Sequence, residues 1–424
     1  MLTHYDQLLR PDPARTVVRP FSPDYPDRFR DPAHGRVQAI VDRVLGLDEA
    51  GLAHEHEKVV ASLDERHRDV DAMLLRRFDD VADRIAQPGA VSQAQRLLIG
   101  AYFSEEFAFA AAALFNPSAV LHPDQSGAPH GGVRLLISLR GIGEGHVSSV
   151  AFRTGQWVPG TAPELDPESE TAVPPVITKE GGAHGDVQLD CSEARTLSET
   201  VLFPVLPRQR QGIEDLRLVR FVEEDGAARY YGTYTAFSGA AALPEMLDTD
   251  DFTHFTMRVL AGDAADAKGM ALFPRRVGGR FVMLGRQDNE NIWLHRSDDL
   301  YHWDGGAKLV EPRYPWEFVQ MGNCGSPVEL DEGWLVFTHG VGTVRNYCMG
   351  ACLLDKADPG KLLARTPEPI LAPSPGERDG YVPNVVYSCG ALLHGRDLLL
   401  PFGVADQFTA FAGCKVDDLL AAME

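Results

Sequence analysis

Cysteine is sparse in this chain: six thiols in 424 residues, at Cys191, Cys324, Cys348, Cys352, Cys389 and Cys414. No two have CxxC spacing, and Cys348 and Cys352 fall in an apolar, strand-like run. They read as buried thiols of a reducing compartment, not as a disulfide frame or a zinc site. Cationic residues are outnumbered, 40 Lys and Arg against 61 Asp and Glu, for a net charge of −21. That sign repels nucleic-acid phosphates and anionic membrane surfaces, so neither is an expected partner. Long apolar runs are also missing. The most apolar stretch, Phe107 to Phe115, is too short to span a bilayer and is bounded by Glu106 and Asn116. The opening residues Met1 to Asp6 lack the basic-then-apolar pattern of a signal peptide, and a cytoplasmic protein is expected. No acidic loop has EF-hand spacing, so no metal is assigned.

What is present is a sizeable core: 44% hydrophobic residues with 24% charged, in a chain long enough for a large domain plus an appendage. Two regions differ in pattern. Up to Phe115, apolar residues recur at helical spacing: Val37, Ile40, Val41, Val44; then Val59, Val60, Leu63; then Val70, Met73, Leu74. Gln93 to Leu114 reads as a last, more apolar helix ended by Asn116-Pro117. These helices are expected to brace the rest or to mediate a homo-oligomer contact. From Asn116 onward the text changes to short strand-like runs between Gly, Pro, Asp and Asn. Examples are Val133–Ser138, Arg229–Ala236, Arg280–Leu284, Trp334–Thr338, Ala391–Leu400 and Phe408–Cys414. Gly160 to Gly185 reads as a long loop. Asp250-Asp251-Phe252-Thr253-His254-Phe255 is echoed by Asp298-Asp299-Leu300-Tyr301-His302-Trp303, at about the period of one propeller blade. Asp250 and Asp298 are expected to cap the turns there. The expected architecture is mainly β, a β-propeller of about five or six blades over residues 116–424 with an N-terminal α-helical region over 1–115.

The chemistry centres on Gly212-Ile213-Glu214-Asp215-Leu216-Arg217, followed by the aromatic strand Tyr230 to Phe237. Two carboxylates and an arginine before a run of rings suit a glycosidic bond, whose oxocarbenium-like transition state needs a placed acid. The same run also fits a structural salt bridge at the mouth of a strand. In a propeller the polar residues of each blade converge on a central channel. Such clusters recur: Arg140 to His146 with Glu144, then Glu214 to Arg217. Lys268, Arg286, Asp288 and Asn289 follow, then Ser326 to Glu329 with Thr338-His339-Gly340, and lastly Asn384 with Asp406. Lys268 also fits a surface pair with Asp266, Asp288 a turn, and Trp316 with Glu317 either a sugar cleft or packing between blades.

From Asn116 to the end the chain resembles glycoside hydrolase family 130, five-bladed propeller enzymes that cleave β-mannosides, mostly by phosphorolysis. The resemblance rests on the run Gly212 to Arg217, Tyr234-Thr235-Ala236, Ala271-Leu272-Phe273-Pro274 and Gly333-Trp334 through Thr338-His339-Gly340-Val341. Leu353-Leu354-Asp355, Val382-Pro383-Asn384-Val385-Val386 and Gly403-Val404-Ala405-Asp406 complete it. It implies that Asp215 is the acid of an inverting reaction and that Asp406 holds the mannose; Asn384, Glu144, Asp288 and Tyr234 are expected as further substrate contacts, with Glu144 also able to serve as a base that activates water. Arg140, Lys268, His339 and Tyr347 match positions that bind phosphate.

One departure changes the expectation. Glu329 stands where the phosphorylases usually carry a lysine, and a carboxylate there repels phosphate but suits a base that activates water. The favoured reading is therefore a β-mannosidase acting on oligosaccharides, with Asp215 and Glu329 catalytic. The alternative is a β-mannoside phosphorylase with inorganic phosphate as its only co-substrate. A non-catalytic sugar-binding propeller is the reading from another class.

Overall fold

The computed structural model describes residues 1–23, 35–181, 185–204, 206–375 and 378–424. The chain forms two compact units. One holds Ala14–Ala108 with Glu170–Pro174; the other holds Met1–Pro13, Phe109–Ser169 and Pro175–Glu424.

The smaller unit carries the helices Arg36–Leu45, Glu49–Leu63, Val70–Asp79 and Gln93–Tyr102. Their starts follow local chemistry. Asp48 accepts from Gly51 N at 2.8 Å, and Ser92 with Gln95 forms a reciprocal capping box. The expected apolar stripes supply the core, with Val37, Val41, Val44, Phe78, Leu98 and Ile99 buried together. Gly100 lets the last two helices touch, since a Cβ there would lie 1.9 Å from Leu74 O.

The last helix ends at Tyr102, well short of Leu114. Ser104–Phe107 pairs with the strand Val17–Pro20, and Ala113–Leu121 is a strand of the larger unit that runs straight through Asn116-Pro117. A continuous run of Ala, Phe and Leu carries no period, so it fits a buried strand as readily as a helix. The expected loop from Gly160 to Gly185 is also partly ordered, with the short strands Glu164–Leu165 and Val176–Glu180.

The larger unit is mainly β. Its strands fall into five antiparallel groups in chain order. The first is Ala113–Leu121, Val133–Ile142 and Ser148–Trp157; the second is Gly212–Val222, Ala228–Phe237, Ala242–Thr249 and His254–Val259. One parallel pair, Gly212 with Ser148, joins them. The third holds Ala271–Leu272, Phe281–Gly285, Ile292–Ser297 and Ala307–Val310. The fourth is built on Gln320–Asn323, Trp334–Val341, Tyr347–Leu354 and Leu362–Arg365. In the fifth, Asp397–Val404 and Phe408–Lys415 are completed by Thr3–Leu9, so the start of the chain closes its final sheet. Each group buries its own apolar side chains against its neighbours, such as Leu335, Phe337 and Met349 against Val386, Leu400 and Phe402.

The repeated Asp-Asp element does cap turns, one residue later than expected. Asp251 accepts from Thr253 N and His254 N, both at 2.8 Å, and Asp299 accepts from Tyr301 N at 2.9 Å. Asp250 and Asp298 instead pair with Arg229 and Arg280 on the surface.

Candidate active site

Two β-bulges build the site. Register shifts between Phe115 and Ser118 in one strand and between Glu214 and Arg217 in another. Asn116 and Asp215 occupy these bulges at φ of 47° and 56°. A bulge breaks the in-out alternation and re-aims a side chain. Here the two re-aimed side chains meet, Asn116 Nδ2 donating to Asp215 Oδ1 at 2.8 Å. Ala405 and Asp406 are left-handed as well, at 50° and 49°, as is Asn384 at 63°. Such strain in non-glycine residues persists where surrounding structure enforces it, characteristically at functional sites.

Arg140 gathers the carboxylates. Its Nη1 donates to Asp215 Oδ1 at 3.1 Å, its Nη2 to Glu214 Oε1 at 2.7 Å and its Nε to Ser148 Oγ at 2.9 Å. Gly212 permits the approach, because a Cβ there would lie 2.7 Å from Ser148 Cβ. Lys268 Nζ lies 3.8 Å from Glu214 Oε2 and 6.0 Å from the centre of the Phe237 ring, so its partner is Glu214. Arg217 is buried and satisfied by Cys324 O, Asp215 O and Tyr387 Oη at 2.8, 3.0 and 2.7 Å.

A second wall comes from the fourth group together with Arg286, which follows the third group's strand Phe281–Gly285. Arg286 Nη1 is 3.1 Å from His339 Nε2. A guanidinium only donates, so that ring nitrogen accepts and the imidazole is neutral. Burial, with Arg286 and Arg217 nearby, holds His339 well below the usual histidine range. Its ring stacks on Tyr347 at 6.1 Å and meets Tyr387 edge-on at 5.1 Å. Asn384 reaches this wall through its backbone, its carbonyl accepting from Tyr347 N at 2.9 Å.

The two aspartates differ in charge state. Burial alone would raise Asp215, but Arg140, Arg217 and the Asn116 hydrogen bond outweigh it and hold the carboxyl at about 2. Burial and the Asp215 charge push Asp406 up to about 6, against the pull of Arg140 and Arg345. Adjacent carboxylates driven apart in this way are the pattern of an acid–base site.

Four expected residues lie elsewhere or are otherwise engaged. Tyr234 is fully buried, donating to Glu245 and accepting from Gln209, because its strand position faces the core. Asp288 accepts from Glu290 N, Asn291 N and Asn291 Nδ2, which makes it a turn former. Glu144 sits exposed at a hairpin tip beyond Arg140. Glu329 is gripped by Arg275 through two bonds of 2.7 and 2.9 Å. It pairs with Trp334, five residues along the strand from His339, which is about 16 Å at the usual rise. There it lines a cavity of about 460 Å³ built from one segment of each group, which Arg220 and Arg275 line as well. Trp316 packs against Gly340 and Gly350, and Glu317 is buried on Arg365, so neither lines a sugar cleft. Asn116 was not foreseen; an Asn-Pro inside an apolar run was its only signal.

Residues 184–424 match the family model described as β-1,4-mannooligosaccharide phosphorylase, glycoside hydrolase family 130. The chain is 32% identical over 227 residues to a 1,2-β-oligomannan phosphorylase of Thermoanaerobacter sp., covering 53% of this chain and 75% of that protein. It is 33% identical over 235 residues to a β-1,2-mannobiose phosphorylase of Listeria innocua, covering 53% and 63%. The solved structure of a Listeria innocua β-1,2-mannobiose phosphorylase in complex with β-1,2-mannobiose superposes with a TM-score of 0.56 at 23% identity, over 74% of this chain and 92% of that one. The chain therefore belongs to glycoside hydrolase family 130 and is an enzyme of the glycosidase and glycoside phosphorylase class.

Proposed function

We propose that the protein is an inverting β-mannoside phosphorylase, and that its five strand groups are the blades of a propeller around the site. The reaction transfers the terminal mannosyl group of a short β-1,2- or β-1,4-linked mannoside to inorganic phosphate. The observation that carries this reading is the wall of Arg140, Lys268, Arg286 and the His339–Tyr347 stack around Asp215, in a chain of net charge −21. An acidic protein that concentrates cations at one point is equipped for an anion there, whereas a water nucleophile needs none. The curated relatives described above are named as phosphorylases. The hydrolase preference rested on Glu329, which is committed to Arg275 about 16 Å from the His339 level. That preference gives way.

In the reaction a phosphate oxygen forms a bond to the anomeric carbon from the face opposite the glycosidic oxygen. The glycosidic C–O bond breaks, and the leaving oxygen takes the proton of Asp215, relayed through a mannose hydroxyl as the family resemblance implies. The products are mannose 1-phosphate and the shortened mannoside. Asp406 and the Asn384 segment orient the sugar. In the free protein Asp215 is ionised, held so by Arg140. A phosphate dianion on that guanidinium cancels its field and raises Asp215 toward the protonated form an acid needs.

The test is product release from β-1,2- and β-1,4-mannobiose with and without phosphate. Mannose 1-phosphate that appears only with phosphate is the expected result. Free mannose released at an equal rate without phosphate would overturn the reading.

A further inference from the structure

The first and fourth strand groups carry the same hairpin. Val133–Ile142 turns into Ser148–Trp157, and Trp334–Val341 turns into Tyr347–Leu354, through five-residue tips. Gly143 N donates to Val147 O at 3.1 Å and Gly342 N to Asn346 O at 2.9 Å. Inside each tip a second bond follows, Val147 N to Glu144 O and Asn346 N to Thr343 O. The left-handed residues match too: Gly145 and His146 at 67° and 60°, Val344 and Arg345 at 57° and 54°. The shared register makes Arg140 equivalent to His339, His146 to Arg345 and Ser148 to Tyr347.

The two tips differ in what holds the second left-handed residue. His146 is clasped, its ring stacked on Tyr381 and its Nδ1 hydrogen-bonded to the phenol. Arg345 has no ion pair among the described residues. Its guanidinium sits 5.6 Å above the Tyr347 ring, on the wall that already presents His339 and Arg286, and Asp406 feels its charge. Arg140, by contrast, is occupied by Glu214 and Asp215. The tip is also strained. Val344 is a β-branched residue at positive φ and 88% exposed, so its conformation is not compensated by burial of its own side chain.

Building on the phosphorylase reading, we propose that Arg345 is a phosphate-binding residue, the uncommitted cation that completes the anion pocket from the hairpin tip. Its planar fork suits two oxygens of one phosphate. At the left-handed tip its guanidinium lies over the Tyr347 ring.

The experiment compares wild-type, Arg345→Gln and Arg345→Lys enzymes in phosphorolysis of β-1,2-mannobiose, varying phosphate and disaccharide separately. Loss of one charge-assisted contact raises the phosphate KM by roughly ten- to a hundredfold, while the disaccharide KM stays within about threefold on the same reasoning. Lysine restores part of the loss. Sulfate, a non-reacting probe, inhibits the wild type competitively against phosphate and loses that effect in Arg345→Gln. A wild type that depends on phosphate, with an unchanged phosphate KM in Arg345→Gln, overturns this assignment alone. A shift confined to the disaccharide KM does the same and makes Arg345 a sugar contact. A wild type that needs no phosphate overturns both this inference and the function it rests on. Arg345 lies on an exposed tip, and melting temperatures equal to wild type confirm that a kinetic change is not a folding defect.

Discussion

Replacing Arg140 by glutamine removes the cation that Glu214 and Asp215 share. Its two ion pairs, at 2.7 and 3.1 Å, involve side chains only 12%, 14% and 23% exposed. Breaking a buried pair by deleting one partner costs about 3–5 kcal/mol, because the remaining charge is left uncompensated. The quarter exposure left to Asp215 places the loss at the lower end, about 3 kcal/mol, or roughly 4–5 °C in melting temperature for a unit of this size. The pH dependence separates this cause from simple loss of packing. In the wild type Asp215 is held at about 2, below its ordinary 3.8. A depressed carboxylate contributes stability above pH 3.8 that is lost as pH falls toward 2. In the variant, burial becomes the larger influence and Asp215 moves above 3.8, so its ionised form becomes a cost that protonation relieves. The gap between the two proteins therefore narrows as pH falls from 7 to 4. Thermal melts at pH 7, 5.5 and 4 measure it, and Arg140→Gln with Asp215→Asn should lose less than the two single variants added together. A gap that stays constant across this range would refute the reasoning.

Asn116→Ala deletes the hydrogen bond that anchors Asp215; a loss of about 1.5–3 kcal/mol is expected for a bond to a charged group, read as a lower urea midpoint. Turnover should fall with little change in disaccharide KM, since the acid loses its aim and the sugar contacts remain. Asp406→Asn is expected to be more stable than wild type at pH 8. Asp406 is raised from 3.8 to about 6, so its contribution is fully present below 3.8 and lost as pH rises through 6, a difference of about 3 kcal/mol at most. Melting temperatures that differ equally at pH 4 and pH 8 would contradict this. Glu329→Gln should leave phosphorolysis of mannobiose within about twofold of wild type, because Glu329 serves Arg275 and Lys356, at a stability cost of about 1 kcal/mol for a half-exposed pair. A loss of a hundredfold or more in turnover would return Glu329 to the chemistry.

What the sequence made legible, and what it hid, follows from how strands encode position. Period-two alternation says that Tyr230 to Phe237 is a strand, but not which neighbour each face meets. Tyr234 therefore read as a sugar floor while it lies among Gln209, Glu245 and Met257 in the core. Asp215 and Asn116 escape the alternation altogether through their bulges. The motif at Asp215 made one visible, whereas Asn116, inside an apolar run, was read as the stop of a helix. Linear distance misled at Glu329. It precedes Thr338-His339-Gly340 by about ten residues, yet the hairpin of Val328–Glu329 with Trp334–Val341 places it at the opposite end of the strand. Arg140, Lys268, His339 and Tyr347 were named through the family resemblance, the first three each followed by a glycine. Arg345 was not, since an exposed arginine on a short turn looks like any solvated charge.

On the phosphorylase reading, the charges around Asp215 give an anion a reason to bind there. Arg140, Arg217, Lys268, Arg286 and Arg345 face or adjoin the cluster. Opposite them stand Glu214 and Asp215, with Asp406 titrating near 6. Five cations against two full carboxylates and a third part-ionised one leave a surplus of two to three positive charges. For the buried members, Arg140 and Arg217, such a surplus is costly unless met by counter-charge. The free protein meets it by keeping Asp215 ionised, which is the wrong state for an acid. Phosphate brings up to two negative charges to the same cations. It offsets the surplus that holds Asp215 ionised, so the nucleophile and the proton are made ready by one binding event. Water brings no charge, and a water nucleophile would leave Asp215 as the free protein has it, deprotonated and held by Arg140.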